Sequence, residues 1–169
     1  MANVTRRQGR EWAVQMLFQT DLNVGIDVDK MISDFWMQQW SYRVESDPDR
    51  VATPPGADEE EQLSREEILA KIAPKKIRDF VETRVRGVLE HLDEVDELIA
   101  THAKNWAMYR IGSVERNVLR LAVYELKYCD DVPNPVIMNE AVDLAKYFSN
   151  SEAGRFVNGV LDKIRKDLA

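Results

Sequence analysis

The sequence predicts an all-α fold of about six or seven helices, and three observations carry that expectation. Apolar residues recur at three- and four-residue steps through most of the chain. No segment alternates apolar and polar residues as a half-buried strand does, and residues suited to helix capping stand ahead of several apolar stripes. With 169 residues, 44% of them hydrophobic, the chain is long enough for one domain with a core that needs no disulfide or structural metal. Collagen-like, low-complexity and wholly disordered chains are excluded by the same composition.

The first helix is expected over residues 5–21, where Trp12, Ala13, Met16, Leu17 and Thr20 share one side. Val28, Met31, Ile32, Phe35 and Trp36 mark a second. After Pro74, a good first-turn residue, Ile77, Phe80, Val81, Val85, Val88, Leu92, Val95 and Ile99 form one stripe over some 25 positions, a long helix interrupted only by Gly87. Ser113 is placed to cap a helix running to Cys129, with Val114, Val118, Leu121, Ala122, Tyr124 and Cys129 inward. Asn134 can cap a helix starting at Pro135, with Ile137, Ala141, Leu144 and Phe148 inward. Ser151 can cap the last, whose stripe is Phe156, Val157, Val160, Leu161, Ile164 and Leu168.

Between residues 41 and 65 three prolines and an acidic run replace the apolar stripes, which reads as an exposed loop between helices. We therefore expect one domain over 1–169: an N-terminal helical part (1–40 and 74–105), an acidic Pro-rich insertion (41–73) with room for a short helix, and a C-terminal helical part (106–169). The net charge is −7, which argues against a nucleic-acid partner. Residues 44–67, however, hold nine acids against Arg50 and Arg65, so the rest of the chain is balanced and local patches decide. The insertion is either a solvated connection or an acidic arm that repels or mimics RNA.

Most catalytic signatures are missing. There is no phosphate-cradling glycine loop, no zinc spacing and no nucleophile elbow, so neither an enzyme nor a cofactor is expected. Glu90, His91 and Glu94 have helical spacing that allows either a metal site or a solvated face. Glu125 falls inside an apolar arc, as a general acid or as a structural carboxylate with a cationic partner. The single Cys129 fits a reducing compartment. With no bilayer-length apolar run and no apolar leader, the cytoplasm is expected and a membrane partner is not.

Two basic strips remain. On the first helix Arg7, Arg10, Val14 and Phe18 fall within about 80° of one another, with Arg6 at the edge. Guanidinium groups beside an aromatic ring suit single-stranded RNA; a solvated helix start with Phe18 in the core is the alternative. Arg116, Arg120 and Lys127 form a second ridge, facing RNA, an acidic partner or only solvent. Phe156, at the margin of its arc, is either core or a surface ring.

Four blocks in order then become recognisable: RRQGRE followed by AVQMLFQ at the start, VERNVLRLAVYEL at 114–126, VIMNEAVDLAKYFS at 136–149 and RFVNGVLDKI at 155–164. Together they resemble the NusB family of transcription antitermination factors. That resemblance implies two packed helical subdomains, no enzymatic activity, and binding to boxA RNA together with NusE, the small-subunit ribosomal protein. RNA polymerase and other Nus factors complete the implied assembly, which reads through terminators during ribosomal RNA synthesis. It carries RNA contact onto Arg6, Arg7, Arg10, Phe18 and Phe156, and a NusE contact onto Glu115; Arg116 and Arg120 beside it are expected to face a partner.

Gln8 and Gly9 depart from the family, where another basic residue and Ala are common, so the basic start is thinner. The resemblance extends to helical domains fused to ribosomal RNA methyltransferases, but a last helix ending near Ala169 leaves no cofactor-binding domain to expect. A helical protein-binding scaffold without direct RNA contact is the alternative reading, and monomer and homodimer both fit amphipathic helices.

Overall fold

The computed structural model describes residues 3–47, 63–104 and 107–169. Among them the chain forms eight α-helices and no strand: α1 (Arg6–Leu22), α2 (Val28–Ser46), α3 (Arg65–Ile72), α4 (Lys75–Glu90), α5 (Leu92–His102), α6 (Ser113–Tyr128), α7 (Asn134–Phe148) and α8 (Ser151–Leu168). A 3-10 turn, Met108–Arg110, precedes α6. Two packed helical groups, α1 to α5 and α6 to α8, meet chiefly at α6, which contacts α1, α4 and α5 as well as α7 and α8; α5 against α8 and α1 against α7 add to the seam. One continuous core runs through both groups.

The apolar stripes form that core. Trp12, Met16, Leu17, Ile32, Phe35, Trp36, Val81, Val85, Val118, Leu121, Ile137, Val157 and Ile164 are all buried. Trp12 stands edge-on to Trp36 at 5.3 Å between ring centroids.

The helix count exceeds the expected six or seven for two reasons. The stripe after Pro74 is two helices, because His91 (φ −106°, ψ 21°) leaves helical geometry one turn beyond Gly87, the poorest helix former of the segment. Gly87 is nonetheless required: a Cβ there would lie 2.1 Å from the Tyr124 ring, so its absence lets α4 and α6 approach. The second reason is α3, the short helix for which the insertion had room. It opens with a capping box, Ser64 accepting from the Glu67 backbone N–H at 3.3 Å while the Glu67 carboxylate accepts from the Ser64 N–H at 2.7 Å.

The expected loop also begins late, since α2 continues through 41–46. Arg43 donates to the Lys71 and Ile72 carbonyls at 2.5 and 2.9 Å, tying the end of α2 to the end of α3. Most of the acidic run, 48–62, lies outside the described residues. All three expected caps are displaced by one residue: Gly112, Pro133 and Asn150 occupy the cap positions, and of these only Asn150 caps through its side chain, accepting from Ala153 N at 2.9 Å. Ser113 instead turns toward Asp21 and Asn117. No described helix is long and apolar enough to cross a membrane.

Candidate nucleic-acid interface

Burial divides the arginines of α1. Arg10 is 4% exposed and donates through Nε and Nη2 to both oxygens of Glu125, at 2.9 and 2.8 Å; Glu125 is itself 1% exposed. Burial works against the Arg10 cation, but the hydrogen bonds and charge of Glu125 outweigh it and raise its pKa. Arg84 joins them, 3.6 Å from Glu125 and hydrogen-bonded to Asp131 at 3.1 Å. The guanidinium groups of Arg6, Arg10 and Arg84 lie 4.9, 5.2 and 3.8 Å from the centroid of the Phe80 ring. Glu125 is thus a structural carboxylate. Arg10, with Val14 fully buried behind it, is not on the exposed strip that helical spacing suggested.

Arg6 and Arg7 stay at the surface, their side chains 49% and 52% exposed. Arg6 pairs with Asp131 at 3.3 Å. Arg7 donates from Nε and Nη2 to Glu140 at 3.1 Å each and from Nη2 to Asp143 at 2.6 Å. Its Nη1 makes no hydrogen bond among the described residues, in a side chain that is half exposed. Thr5 caps α1, and the first turn contains no acid. Two cations at the positive end of a helix dipole cost stability, yet the same arrangement favours an anion.

Phe18 is half-buried, its ring edge-on to Phe148 at 5.9 Å, so it belongs to the packing between α1 and α7 more than to an open strip. Phe156 is also half-buried against the core, and it lines a surface cavity of about 420 Å³ with Arg110, Glu115, Asn150 and Glu152. Glu115 accepts from Ser149 Oγ at 3.5 Å.

The second basic ridge does not exist as a free surface. Arg116 donates to Asp21 at 2.5 Å and to the Ile111 carbonyl at 2.9 Å. Arg120, 8% exposed, donates to both oxygens of Asp96 at 2.8 Å and to Asp21 at 3.1 Å. Burial would raise the Asp21 pKa, but Arg116 and Arg120 hold it below the usual carboxylate range. Lys127 pairs with Glu94, and His91 stacks on Tyr128 at 4.2 Å. No group of three His, Cys, Asp or Glu among the described residues is arranged to hold a metal, Glu90, His91 and Glu94 included.

Spacing along single helices missed Asp21, the acid that joins α1 to α6, and Asp131, Glu140 and Asp143, which meet the surface arginines. Arg116, Asn117 and Arg120, grouped on one turn beside the apolar arc of α6, were the available signal for a buried acidic partner.

The fold and the site define the class: an all-helical domain of two packed groups with an arginine-rich helix start at its edge. The NusB family model matches residues 42–166, and the chain belongs to the NusB family. The transcription antitermination protein NusB of Myxococcus xanthus (strain DK1622) is 38% identical over 162 residues, covering 94% of this chain and 93% of that protein. Among solved structures, T. maritima NusB is 29% identical with a TM-score of 0.70, covering 97% of this chain and 92% of that one. A structure of antitermination factors NusB and NusE in complex with dsRNA is 27% identical with a TM-score of 0.67, covering 96% of each chain.

Proposed function

We propose that the protein is a non-enzymatic RNA-binding adaptor of transcription antitermination. It binds boxA-like single-stranded RNA together with NusE and helps RNA polymerase, with other Nus factors, to read through terminators in ribosomal RNA operons. The observation that carries this reading is the start of α1, where half-exposed Arg6 and Arg7 stand in a first turn without acids, at the positive end of the helix. A solved relative captured with NusE and dsRNA supports it. Arg6 and Arg7 would meet phosphates, Phe156 would offer its exposed margin to a base, and Glu115 beside it would face NusE. Arg10 anchors the start of α1 from the interior through Glu125, Arg116 and Arg120 tie α6 to α1 through Asp21, and Phe18 braces the seam between α1 and α7.

Anisotropy of a labelled boxA-like RNA, titrated with and without NusE at two salt concentrations, tests the reading. Removing two cations in Arg6→Ala/Arg7→Ala should weaken binding and flatten the salt dependence by roughly 1.4, about 0.7 for each phosphate released from a single strand. Wild-type protein that holds NusE but no RNA under any condition would favour the scaffold reading instead.

A further inference from the structure

Phe18 faces Phe148, so the ring that the α1 edge presents to solvent comes from another helix. Tyr147 on α7 is 69% exposed. Its ring rests edge-on against Phe148, 5.0 Å between centroids at 74°, and Phe148 in turn meets Phe18 at 85°. The row braces Tyr147 on one side and leaves most of the side chain in solvent. Among the described residues its hydroxyl makes no hydrogen bond, so the fold assigns the side chain little internal work.

Position gives it a use. Asp143, which holds the Arg7 guanidinium, lies four residues before Tyr147 on α7, one turn back on the same face and about 6 Å along the axis. The seam between α1 and α7 is therefore tied at one end by Arg7 to Glu140 and Asp143, and at the other by Phe18 on Phe148. Because Nε and Nη2 alone hold Glu140, Nη1 of Arg7 is left for a phosphate, and Tyr147, one turn beyond the acid that holds Arg7, stands where an unpaired base of the same strand can reach it.

We propose that Tyr147 is a base-stacking platform of the RNA site, adjoining the phosphate contact at Arg7. The proposal rests on the RNA-binding reading. Stacking on an aromatic face is sequence-tolerant, so Tyr147 adds affinity for a single strand and does not select a particular base. Double-stranded RNA, whose bases are already stacked, gains nothing from it.

Labelled boxA-like RNA is titrated with the full chain plus NusE, using Tyr147→Ala, Tyr147→Phe and Arg7→Ala. Tyr147→Ala should weaken binding roughly five- to a hundredfold, the range for loss of one base–aromatic stack, with an unchanged thermal midpoint because the side chain is exposed. Tyr147→Phe, which keeps the ring, should bind within about twofold of wild type. RNA carrying 2-aminopurine at successive positions should show one position quenched by the wild type and released in Tyr147→Ala. If Arg7→Ala loses RNA while Tyr147→Ala does not, the platform is wrong and the RNA reading stands. Equal loss in Tyr147→Phe, or loss of NusE in place of RNA, also overturns the platform. If the wild type binds no RNA, both readings fall.

Discussion

Replacing Glu125 by Ala should be among the most damaging single substitutions in the domain. Glu125 is 1% exposed, and two guanidinium groups at most 5% exposed converge on it, Arg10 in a two-point hydrogen bond and Arg84 at 3.6 Å. Without it Arg10 has no direct carboxylate partner. Arg84 keeps only the half-exposed Asp131, and its own Nε already lacks a hydrogen bond. Breaking a buried pair from one side costs about 3–5 kcal/mol, a large part of the roughly 5–15 kcal/mol that stabilises a domain. The thermal midpoint should fall by about 6–20 °C, at about 2–4 °C per kcal/mol for a chain of this length. Urea unfolding followed by circular dichroism at 222 nm measures the loss, and an unchanged m-value shows that the transition itself is the same. Arg10→Met combined with Glu125→Leu removes both members of the two-point pair and should recover the share of the loss that comes from Arg10, leaving the share that comes from Arg84. A Glu125→Ala loss below about 1 kcal/mol at constant m would refute the reasoning, since it would mean that water solvates the cluster.

Two further outcomes follow from the packing and the titrating groups. Gly87→Ala gains helix propensity, but its methyl lands 2.1 Å from the Tyr124 ring, which is stacked near His91; the net should be a loss of about 1–3 kcal/mol, relieved by Tyr124→Leu in the same chain. His102 donates from Nδ1 to the Leu98 carbonyl and from Nε2 to the Asp167 carboxylate, both at once only as an imidazolium; burial lowers its pKa, yet the hydrogen bonds to Asp167 and Leu98 raise it above the ordinary value. A raised folded pKa stabilises fully below about 6.5, the unfolded value, and that contribution disappears as pH rises through the folded one. The His102 ring proton in a pH titration by NMR should therefore show a midpoint above that of a free imidazole, returning toward it in Asp167→Asn.

The core was legible because burial follows periodicity. Ile77, Val81, Val85, Val88, Val95 and Ile99 are all buried, although the helix that carries them is broken at His91. What spacing along one helix cannot contain is the acid supplied by another. Arg10 and Glu125 are 115 positions apart, and Arg7 and Asp143 are 136 apart; a helical wheel drawn on α1 sees a row of cations in both places. Caps slipped by one residue for a similar reason: Ser113 is drawn to Asp21 and Asn117, a tertiary demand that outcompetes its local preference.

Sorting the cations by burial rather than by position on a wheel changes where function is sought. Arg10, Arg84 and Arg120 are interior groups whose charge is consumed by Glu125, Asp131, Asp21 and Asp96, and a net charge of −7 says nothing about them. The surface cations of α1 reduce to Arg6 and Arg7, each already shared with an acid. A phosphate that binds there shares cations that acids already partly neutralise, so electrostatic gain is small and salt dependence shallow. Affinity then has to come from contacts that acids do not provide, which is why an exposed aromatic ring one turn from Asp143, the acid that holds Arg7, matters more than a further arginine would. Arg10→Ala and Arg7→Ala separate the two kinds of arginine: the first should lower stability with the salt slope of the folded fraction unchanged, and the second should change the slope with stability nearly intact.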